Sequence, residues 1–498
     1  MTHTPPPVRE LSPSVYDIAV TALVDGPQQQ ACVQWLSEHR TTPTTWGADP
    51  QVNWYDAYLS TYSAALALHH AGDTEVADRS LADLPRLVPA DPRRTLETLT
   101  FGALIGALDT YHALHIGPPA PHPPPVREVI EREAGKWRRM KVWDGFLDPA
   151  VSIAGYCAER VLGDDDIDLE AFLDAFQAPN GSVANAPGAS ALLLLEAERR
   201  GTPPTPALRS LRDYVHARQA PDIAYLDWVP YFTSLWSSLF TNETGPSTTL
   251  PSHALDALIH DLADPSGLMG SLGSIRPHGP ATIPGDSDVT ACAMVAARLH
   301  GRTPPPSTNL DSLYDPTRGC YLTFHFEHDA SLTTNIHVAH ALALEERTDR
   351  LTDVLTWLTK AFDDPATIGC KWHLSPLYAL GELARVTAHI GHPLATALHD
   401  RATTRLLTAQ NPDGGWGTHG STAEETGYAV LGLTAALTVP PDPATPLARA
   451  LRHAHRHLTA DVPRHVPLWL GKTLYCVEPL VPLLHATALT RIEQVTLD

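Results

Sequence analysis

Two aspartates one residue apart are the residues in this sequence best suited to chemistry. Asp286 and Asp288 stand immediately before an apolar segment that begins at Val289. Burying carboxylates close together favours their protonated forms, because like charges repel and water is lost. An aspartic acid that stays neutral at pH 7 needs a pKa raised by more than ~3 from about 3.9, which takes more than ~4 kcal/mol from its surroundings. The alternative is a solvated turn in which Asp286 or Asp288 caps a helix.

The elements that would position these aspartates are helical. Amphipathic stretches of roughly 12–18 residues alternate with Pro and Gly, and strand patterns are scarce. The most periodic parts are 62–70, 81–87, 190–200, 331–346, 376–390 and 422–437. The 46 prolines fall mainly between these segments. The pattern predicts an all-α protein, either a solenoid or a closed α/α barrel, since helix pairs must bury their apolar faces on one another.

A weak internal repeat supports this architecture. The pair Trp46-Gly47 follows an apparent helix end, and residues 410–417 repeat that arrangement around Trp416. The segment 177–182 resembles a third, degraded copy. Repeated turns usually indicate architecture rather than chemistry, so we predict a structural role for them.

Length and charge restrict the partners. With 498 residues the chain is too long for one ordinary core, so two large domains are expected. The formal net charge of −21, from 35 basic and 56 acidic residues, argues against nucleic acid or an anionic membrane as a general partner. An anionic ligand would therefore need a local basic cluster.

The cysteines and the apolar runs predict a cytoplasmic protein. Six scattered cysteines without a Cys-x-x-Cys pair indicate a reduced chain with neither a zinc ribbon nor a disulfide framework. The first residues lack the charged and apolar regions of a signal peptide. No apolar run of about 18 residues occurs, so we expect no membrane span.

Several motifs resemble those of one enzyme family. Residues 410–417, followed by 424–431, are similar to the Q-W repeat of the terpene cyclase and prenyltransferase superfamily. Four more stretches, in the order found in the bacterial class II diterpene cyclases and spanning nearly the full chain, are 16–20, 332–338, 371–376 and 467–475. Together these motifs make the chain resemble that branch in particular.

The resemblance implies two α/α-barrel domains, β and γ, with γ inserted after the first helix of β. Residues 1–27 would supply that helix, 28–252 would form γ, and 253–498 would complete β and carry the aspartate motif. Nothing remains for the additional domain of the ionising class I cyclases, so such enzymes would be separate proteins.

In this family the middle aspartate of the motif protonates the terminal alkene of a prenyl diphosphate. The resemblance therefore implies that Asp288 is the general acid and Asp286 its partner. Asn335 lies at the position of a residue that contacts the acid, and we expect Asn335 or His337 to join its proton network. Val289 departs from the family pattern, which has Asp or Thr there, and its side chain forms no hydrogen bond. Its burial also favours a neutral acid, so we expect retained activity, with loss of activity as the alternative.

The resemblance also implies where the substrate lies. Aromatic faces would stabilise the carbocation. The candidates for this are Trp372, Trp416, Tyr378, Tyr428, Trp228 and Trp236. The diphosphate, which this class retains, needs a basic pocket, with Mg²⁺ as the expected cofactor. The expected contacts are Lys371 and Lys472, with Arg318 behind them.

Two acidic segments need interpretation as metal sites. Residues 164–168 spell the D-D-x-x-D motif by which class I enzymes bind Mg²⁺. No second metal motif accompanies it, and acidic residues favour helix N-termini, so we interpret this run as a helix start. The family's acidic Mg²⁺ motif in γ would fall between Asp91 and Glu97, where it is degenerate. The 26 histidines show no zinc-ligand spacing.

The implied function is that of a class II diterpene cyclase, an isomerase (intramolecular lyase) of secondary metabolism. It would close geranylgeranyl diphosphate to a bicyclic labdane- or rearranged clerodane-type diphosphate, on which a separate class I terpene synthase would act. Cyclisation of farnesyl diphosphate to a drimane skeleton is the nearest alternative. A catalytically silent barrel that binds prenyl diphosphates or a partner protein is another.

Overall fold

The computed structural model describes residues 11–89, 101–119, 121–149, 151–221, 229–242, 255–256, 259–260, 268–269, 284–363, 370–460 and 463–496.

The described part of the chain is almost wholly helical. The first half contains α1 (Val15–Thr21), α2 (Gln29–Glu38), α3 (Pro50–His70), α4 (Thr74–Asp83), α5 (Phe101–His115), α6 (Pro124–Lys141), α7 (Leu169–Phe176), α8 (Pro187–Arg199), α9 (Pro206–Arg218), and the 3₁₀ helices Leu84–Leu87 and Ala154–Val161. The second half contains α10 (Val229–Thr241), α11 (Ser287–Leu299), α12 (Leu332–Leu344), α13 (Thr348–Asp363), α14 (Pro376–Thr387), α15 (Pro393–Thr408), α16 (Ala423–Thr434), α17 (Pro446–Ala460), α18 (Leu480–Thr496), and the 3₁₀ helix Ser307–Leu313.

Two short antiparallel hairpins complete the described structure. Strand β1 (Tyr314–Asp315) pairs with β2 (Cys320–Tyr321), and β3 (Trp469–Leu470) pairs with β4 (Leu474–Tyr475). Each strand has two residues, so the hairpins fix loops and form no sheet core.

The helices close into two rings. In the first half α1 packs on α3 and α8, α3 packs on α5, and the 3₁₀ helix Ala154–Val161 joins α5 to α8. In the second half α11 packs on α12, α12 on α14, α14 on α16 and α16 on α18, while α10 contacts both α18 and α11. Helices α13, α15 and α17 form an outer layer around this second ring. The predicted all-α architecture of α/α barrels is confirmed.

The sequence determines which helices lie inside. Helix α11 is buried from Ser287 to Ala297 and α12 from Leu332 to Leu342, so both are enclosed on all sides. The outer helix α17 instead buries only one stripe of alanine and leucine. A helix that is apolar all round must be buried all round, whereas an amphipathic one covers a core.

The contacts of two helices bear on where the division between the two units lies. Helix α1 was expected to be the first helix of β, but it packs on α2, α3, α8 and α9 of the first ring. Helix α10, inside the range 28–252 expected for γ, closes the second ring. On these contacts we propose that α1 belongs to the γ unit and α10 to the β unit, each helix filling a gap in its ring.

The repeated turns have the predicted architectural role. The indole N–H of Trp46 donates to the carbonyl ten residues earlier at 2.6 Å, and its backbone N–H donates to the Thr61 hydroxyl at 3.0 Å. Trp416 repeats both bonds, at 2.7 Å to the carbonyl ten residues earlier and 2.9 Å to Thr426. In the third copy Val183 replaces the tryptophan and keeps only the backbone bond, to a serine hydroxyl.

Other predictions about the chain concern its acidic run, cysteines and apolar segments. Asp168 caps α7 by accepting from two backbone N–H groups, and Asp164 pairs with Lys141 at 2.8 Å, so the helix-start interpretation is confirmed. All six cysteines are free and buried. Among the described residues, every helix is too short or too polar to cross a bilayer.

Candidate active site

The aspartate motif lies at the N-terminus of α11, inside the second ring. Asp286 is the N-cap, and its carboxylate accepts the backbone N–H of Val289 at 2.7 Å. Asp286 and Asp288 are both buried. Burial, together with the negative charge that Asp288 carries after it has lost its proton, raises the pKa of Asp286 well above its usual range. The cap uses only the backbone of Val289, so the valine side chain leaves this support unchanged.

A hydrogen-bonded chain of buried ionisable groups begins at Asp288. The Nδ1 atom of His337 lies 2.6 Å from Asp288 Oδ1, and its Nε2 atom lies 3.2 Å from Glu382 Oε2. Arg385 then donates to both oxygens of Glu382, at 2.9 and 2.7 Å. This acid network connects α11, α12 and α14, which are consecutive members of the inner ring.

The charges in the acid network follow from its contacts. Burial alone would raise the pKa of Glu382, but Arg385 and His337 outweigh it and lower the value to about 2. Burial alone would lower the pKa of His337, but Cys292 and Asp288 outweigh it and raise the value well above its usual range. His337 is therefore an imidazolium that donates from both ring nitrogens.

The three groups Asp288, Cys292 and His337 also lie close enough together to hold a metal ion. Both nitrogens of a protonated His337 carry hydrogens, which leaves no lone pair for a cation. The cluster is therefore built as a hydrogen-bond network rather than a metal site.

Asn335 has partners other than the expected one. Its amide nitrogen donates to the carbonyls of Tyr321 and Ser331, both at 2.9 Å, and its oxygen accepts the N–H of Tyr321 at 2.8 Å. These bonds use the amide nitrogen twice and the oxygen once, and they tie strand β2 to helix α12. Asn335 thus anchors a loop, while its neighbour His337 contacts the acid.

That loop holds the start of α11. The backbone N–H of Ser287 donates to the carbonyl of Thr323 at 3.1 Å, and the Ser287 hydroxyl donates to the carbonyl of Leu322 at 2.7 Å. Asn335 therefore positions the acid indirectly, through residues 321–323.

A wall of aromatic side chains extends from the acid network. The indole of Trp236 stands edge-on to His337 with ring centroids 5.9 Å apart, and its N–H donates to the Tyr378 hydroxyl at 2.9 Å. Tyr378 in turn lies 5.0 Å from Tyr428 and 5.1 Å from Trp469, centroid to centroid. Such faces can stabilise a cation.

The other predicted aromatic contacts are placed differently. Trp372 is only partly buried and meets Phe324 edge to face. Trp416 is fully buried in its repeat turn, where both of its N–H groups are occupied. Trp228 lies outside the described residues.

The three basic residues expected at the diphosphate are each held in an ion pair. Lys371 lies 2.8 Å from Glu327, and Lys472 lies 2.6 Å from Glu159, with all four side chains at most 1% exposed. Arg318 pairs with Asp315 at 2.6 Å nearer the surface. A buried ammonium group requires a carboxylate partner, so these lysines neutralise internal charges instead of facing an empty pocket.

A different basic cluster lines a cavity of about 430 Å³. Its basic wall comprises Lys136, Arg139, Arg160, His325 and His328, beside Trp137, Met140 and Phe326. The Nε atom of Arg160 is buried without a hydrogen-bond partner. Arg160 forms no ion pair with any carboxylate in the part of the chain that the structure describes.

The two residues expected to bind Mg²⁺, Asp91 and Glu97, lie outside the described residues. A larger cleft of about 850 Å³ runs between Trp35, Asp56 and Arg464, but no member of the acid network lines it.

Comparisons with known proteins relate the chain to one group. It is 32% identical to the ent-copalyl diphosphate synthase of a Streptomyces species over 311 residues, which are 59% of this chain and 56% of that protein. It is 24% identical to the type B diterpene cyclase of Mycobacterium tuberculosis over 97% of this chain and 96% of that one. The match spans only about half of the length of that synthase and of two further relatives.

The fold is shared with a solved structure, ent-copalyl diphosphate synthase from Streptomyces platensis. The TM-score is 0.75 at 24% sequence identity, covering 97% of this chain and 95% of that one. No protein-family profile matches the chain.

Proposed function

We propose, from the premise that the chain is a homologue of the bacterial class II diterpene cyclases, that it cyclises geranylgeranyl diphosphate to a bicyclic diterpenyl diphosphate and retains the diphosphate. The observation that carries this proposal is the acid network from Asp288 through His337 and Glu382 to Arg385. Relatives named as a diterpene cyclase and a labda-7,13-dienyl diphosphate synthase support a diterpenyl product over the drimane alternative.

The acid network favours proton donation by Asp288 because its net charge becomes zero when the proton leaves. With Asp288 protonated, His337 and Arg385 cationic and Glu382 anionic, the network carries one net positive charge. When Asp288 loses its proton, the network becomes neutral. In a low-dielectric interior the neutral state is stabilised, so donation from Asp288 is driven by preorganised groups that need not move. The completeness of this network also argues against the silent barrel.

The proton would leave from the oxygen of Asp288 that faces away from His337. Asp288 Oδ1 accepts from the imidazolium at 2.6 Å, so the acid hydrogen belongs on Oδ2. The O–H bond breaks, the terminal alkene uses its π electrons to form a C–H bond, and a tertiary cation results. The next two alkenes along the chain then attack in sequence to close two rings beside Trp236 and Tyr378, and the alkene next to the diphosphate is left intact.

The diphosphate would occupy the 430 Å³ cavity, with Arg160 as its main anchor. A half-buried guanidinium without a carboxylate partner is a ready site for an anion, because it pairs bidentately with phosphate oxygens. His325 and His328 of the same cavity follow Thr323, which binds the start of α11, by only a few residues. One loop thus connects the proposed diphosphate site to the acid.

Mg²⁺ would accompany the diphosphate. Among described residues the carboxylate of this cavity is Glu133, which is paired with Arg132 and Lys136 at 3.2 and 3.3 Å and so does not suit a hard cation. We therefore assign no step to the metal. A cytoplasmic location and a downstream class I terpene synthase that uses the retained diphosphate stay predictions.

Turnover by the purified chain tests the proposal. Incubation with geranylgeranyl or farnesyl diphosphate, with Mg²⁺ or EDTA, is followed by dephosphorylation and mass spectrometry. A bicyclic C20 alcohol is expected, and Asp288→Asn should lower its formation by at least ~10³-fold, within the range for general acids. The surface variant Asp349→Asn serves as the control. Products from neither substrate would overturn the cyclase proposal, whereas an active Asp288→Asn variant would overturn only the acid assignment.

A second variant tests the diphosphate site. Arg160→Met should raise the KM for geranylgeranyl diphosphate by about 10- to 100-fold, because a charged hydrogen-bond donor is removed. Lys371→Met should instead lower the stability of the fold, because it removes the partner of the buried Glu327 carboxylate. An unchanged KM in a folded Arg160→Met protein would place the diphosphate elsewhere.

A further inference from the structure

A second buried carboxylate, Glu424, lies at the far end of the aromatic wall. Its Oε1 atom accepts hydrogen bonds from the Tyr428 hydroxyl at 2.9 Å and the Trp469 indole at 2.8 Å. The Nε2 atom of His373 lies 3.3 Å from the same oxygen. The side chain is only 1% exposed, and its other oxygen, Oε2, is buried without a hydrogen-bond partner in the described part of the chain.

The neighbours of Glu424 are arranged for a carboxylate. The Nδ1 atom of His373 accepts the backbone N–H of Ser375 at 3.1 Å, so the ring hydrogen is on Nε2 and points at Glu424. Indole and phenol groups also present hydrogens to an oxygen acceptor. All three contacts therefore converge on Oε1, and the lone pairs of Oε2 remain available.

Glu424 lies at the same position in its helix as Asp288, the proposed acid, does in α11. Asp288 is the second residue of α11 and Glu424 is the second residue of α16, and both helices belong to the inner ring. Tyr378 connects the two ends, since its hydroxyl accepts from Trp236 beside the acid network and its ring packs 5.0 Å from Tyr428. The aromatic wall thus runs from the proton donor to an unused carboxylate oxygen.

We propose that Oε2 of Glu424 takes up the proton that ends the cyclisation. A C–H bond next to the final carbocation breaks, its electron pair forms the product alkene, and the proton forms an O–H bond at Oε2. The step involves no oxidant or reductant, and water removes the proton after the product leaves. The inference rests on the proposed function, because it requires a cation in the β unit.

A structural role alone does not account for the free oxygen. Buried polar atoms in folded proteins are nearly always hydrogen-bonded, and leaving one unpaired costs stability. A glutamate kept only to hold His373, Tyr428 and Trp469 needs one acceptor oxygen, which an amide supplies equally well. The unpaired oxygen is explained if it has a partner during turnover.

The test compares two variants of this side chain. Glu424→Gln retains a carbonyl oxygen for the three donors and replaces Oε2 with an amide nitrogen, which takes up no proton. Formation of the wild-type alkene isomer should fall at least ~100-fold, while substrate consumption falls less and isomeric alkenes or water-quenched alcohols appear. Glu424→Asp keeps a carboxylate and should restore part of the wild-type product ratio. The matched control Glu425→Gln alters a neighbouring carboxylate that binds Thr418 and Thr422, and should leave the ratio unchanged.

The outcomes separate the claims. A Glu424→Gln protein that keeps the wild-type product ratio, whatever its turnover rate, would overturn the proposed role of Glu424. Identical product ratios from the Glu424→Gln and Glu424→Asp variants would overturn it as well. Because product ratios are compared and not rates, a variant that folds poorly still gives a usable result. A wild-type protein without cyclised products would instead overturn the proposed function.

Discussion

The buried pair Glu382–Arg385 provides the sharpest test of the acid network. Arg385→Met removes a guanidinium that is 2% exposed and leaves Glu382, 3% exposed, with His337 as its remaining donor. The pKa of Glu382 falls from an ordinary 4.5 to about 2, chiefly because Arg385 overcomes the opposing effect of burial. At ~1.36 kcal/mol per pKa unit, this lowering corresponds to about 3 kcal/mol. Breaking a buried pair costs a similar ~3–5 kcal/mol.

The assay is a double-mutant cycle. Denaturant unfolding at pH 7, followed by tryptophan fluorescence, would compare Arg385→Met, Glu382→Gln and the double variant. We expect Arg385→Met to lower the free energy of unfolding by about 3 kcal/mol, and the double variant to recover most of that loss. Because the folded pKa is lowered, the contribution of Glu382 is present above pH 4.5 and is lost as the pH falls through about 2.

A surface pair supplies the control. Arg212 and Glu198 lie 3.2 Å apart with side chains 42% and 45% exposed, so Arg212→Met should change stability by less than ~1 kcal/mol. If the coupling between Glu382 and Arg385 is as small as that of the surface pair, the electrostatic account of the acid network is refuted.

Three further predictions follow from the same contacts. Because the pKa of His337 is raised, its imidazolium is present below that value and lost above it. The cyclisation rate should therefore fall only at alkaline pH. A His337→Gln enzyme that shows the same alkaline fall would contradict the prediction. Lys472→Met strands the buried carboxylate of Glu159 and should destabilise the fold by about 3–5 kcal/mol in denaturant unfolding, with recovery on adding Glu159→Gln; no recovery would refute the pairing. Trp416→Phe loses the bond to the Leu406 carbonyl and should cost about 1–3 kcal/mol with an unchanged product ratio; a changed ratio would support a substrate contact instead.

Local patterns in the sequence predicted the helices and the helix start at the aspartate motif. The aspartate pair before an apolar run predicted a helix start, and Asp286 is indeed the cap of α11 while Asp288 lies inside the ring. His337, named as one of two candidates, contacts Asp288 directly. The helix start depends on helical periodicity and neighbouring residues, which a sequence displays, whereas the choice of Asp288 and His337 came from the family resemblance.

Long-range pairing was beyond the sequence. Lys371 and Lys472 were placed at the diphosphate, but their partners lie 44 and 313 residues away, at Glu327 and Glu159. No local signal marks Arg160 as a half-buried cation without a carboxylate partner among the described residues. The pair Glu382 and Arg385 was missed, although the sequence carries a signal for it. The two residues are three apart in an otherwise apolar helix, which indicates a buried ion pair in contact with another polar group.

The ion pair between Glu159 and Lys472 has a consequence for how the chain is completed during synthesis. Glu159 emerges 313 residues before its partner. At roughly 5–20 residues per second, the ribosome takes about 15–60 s to cover that interval. Until then an enclosed Glu159 carboxylate would be an unpaired buried charge, so we expect the 3₁₀ helix Ala154–Val161 to stay hydrated. We therefore expect the β3–β4 hairpin, which carries Lys472, to close the interior of the first ring last.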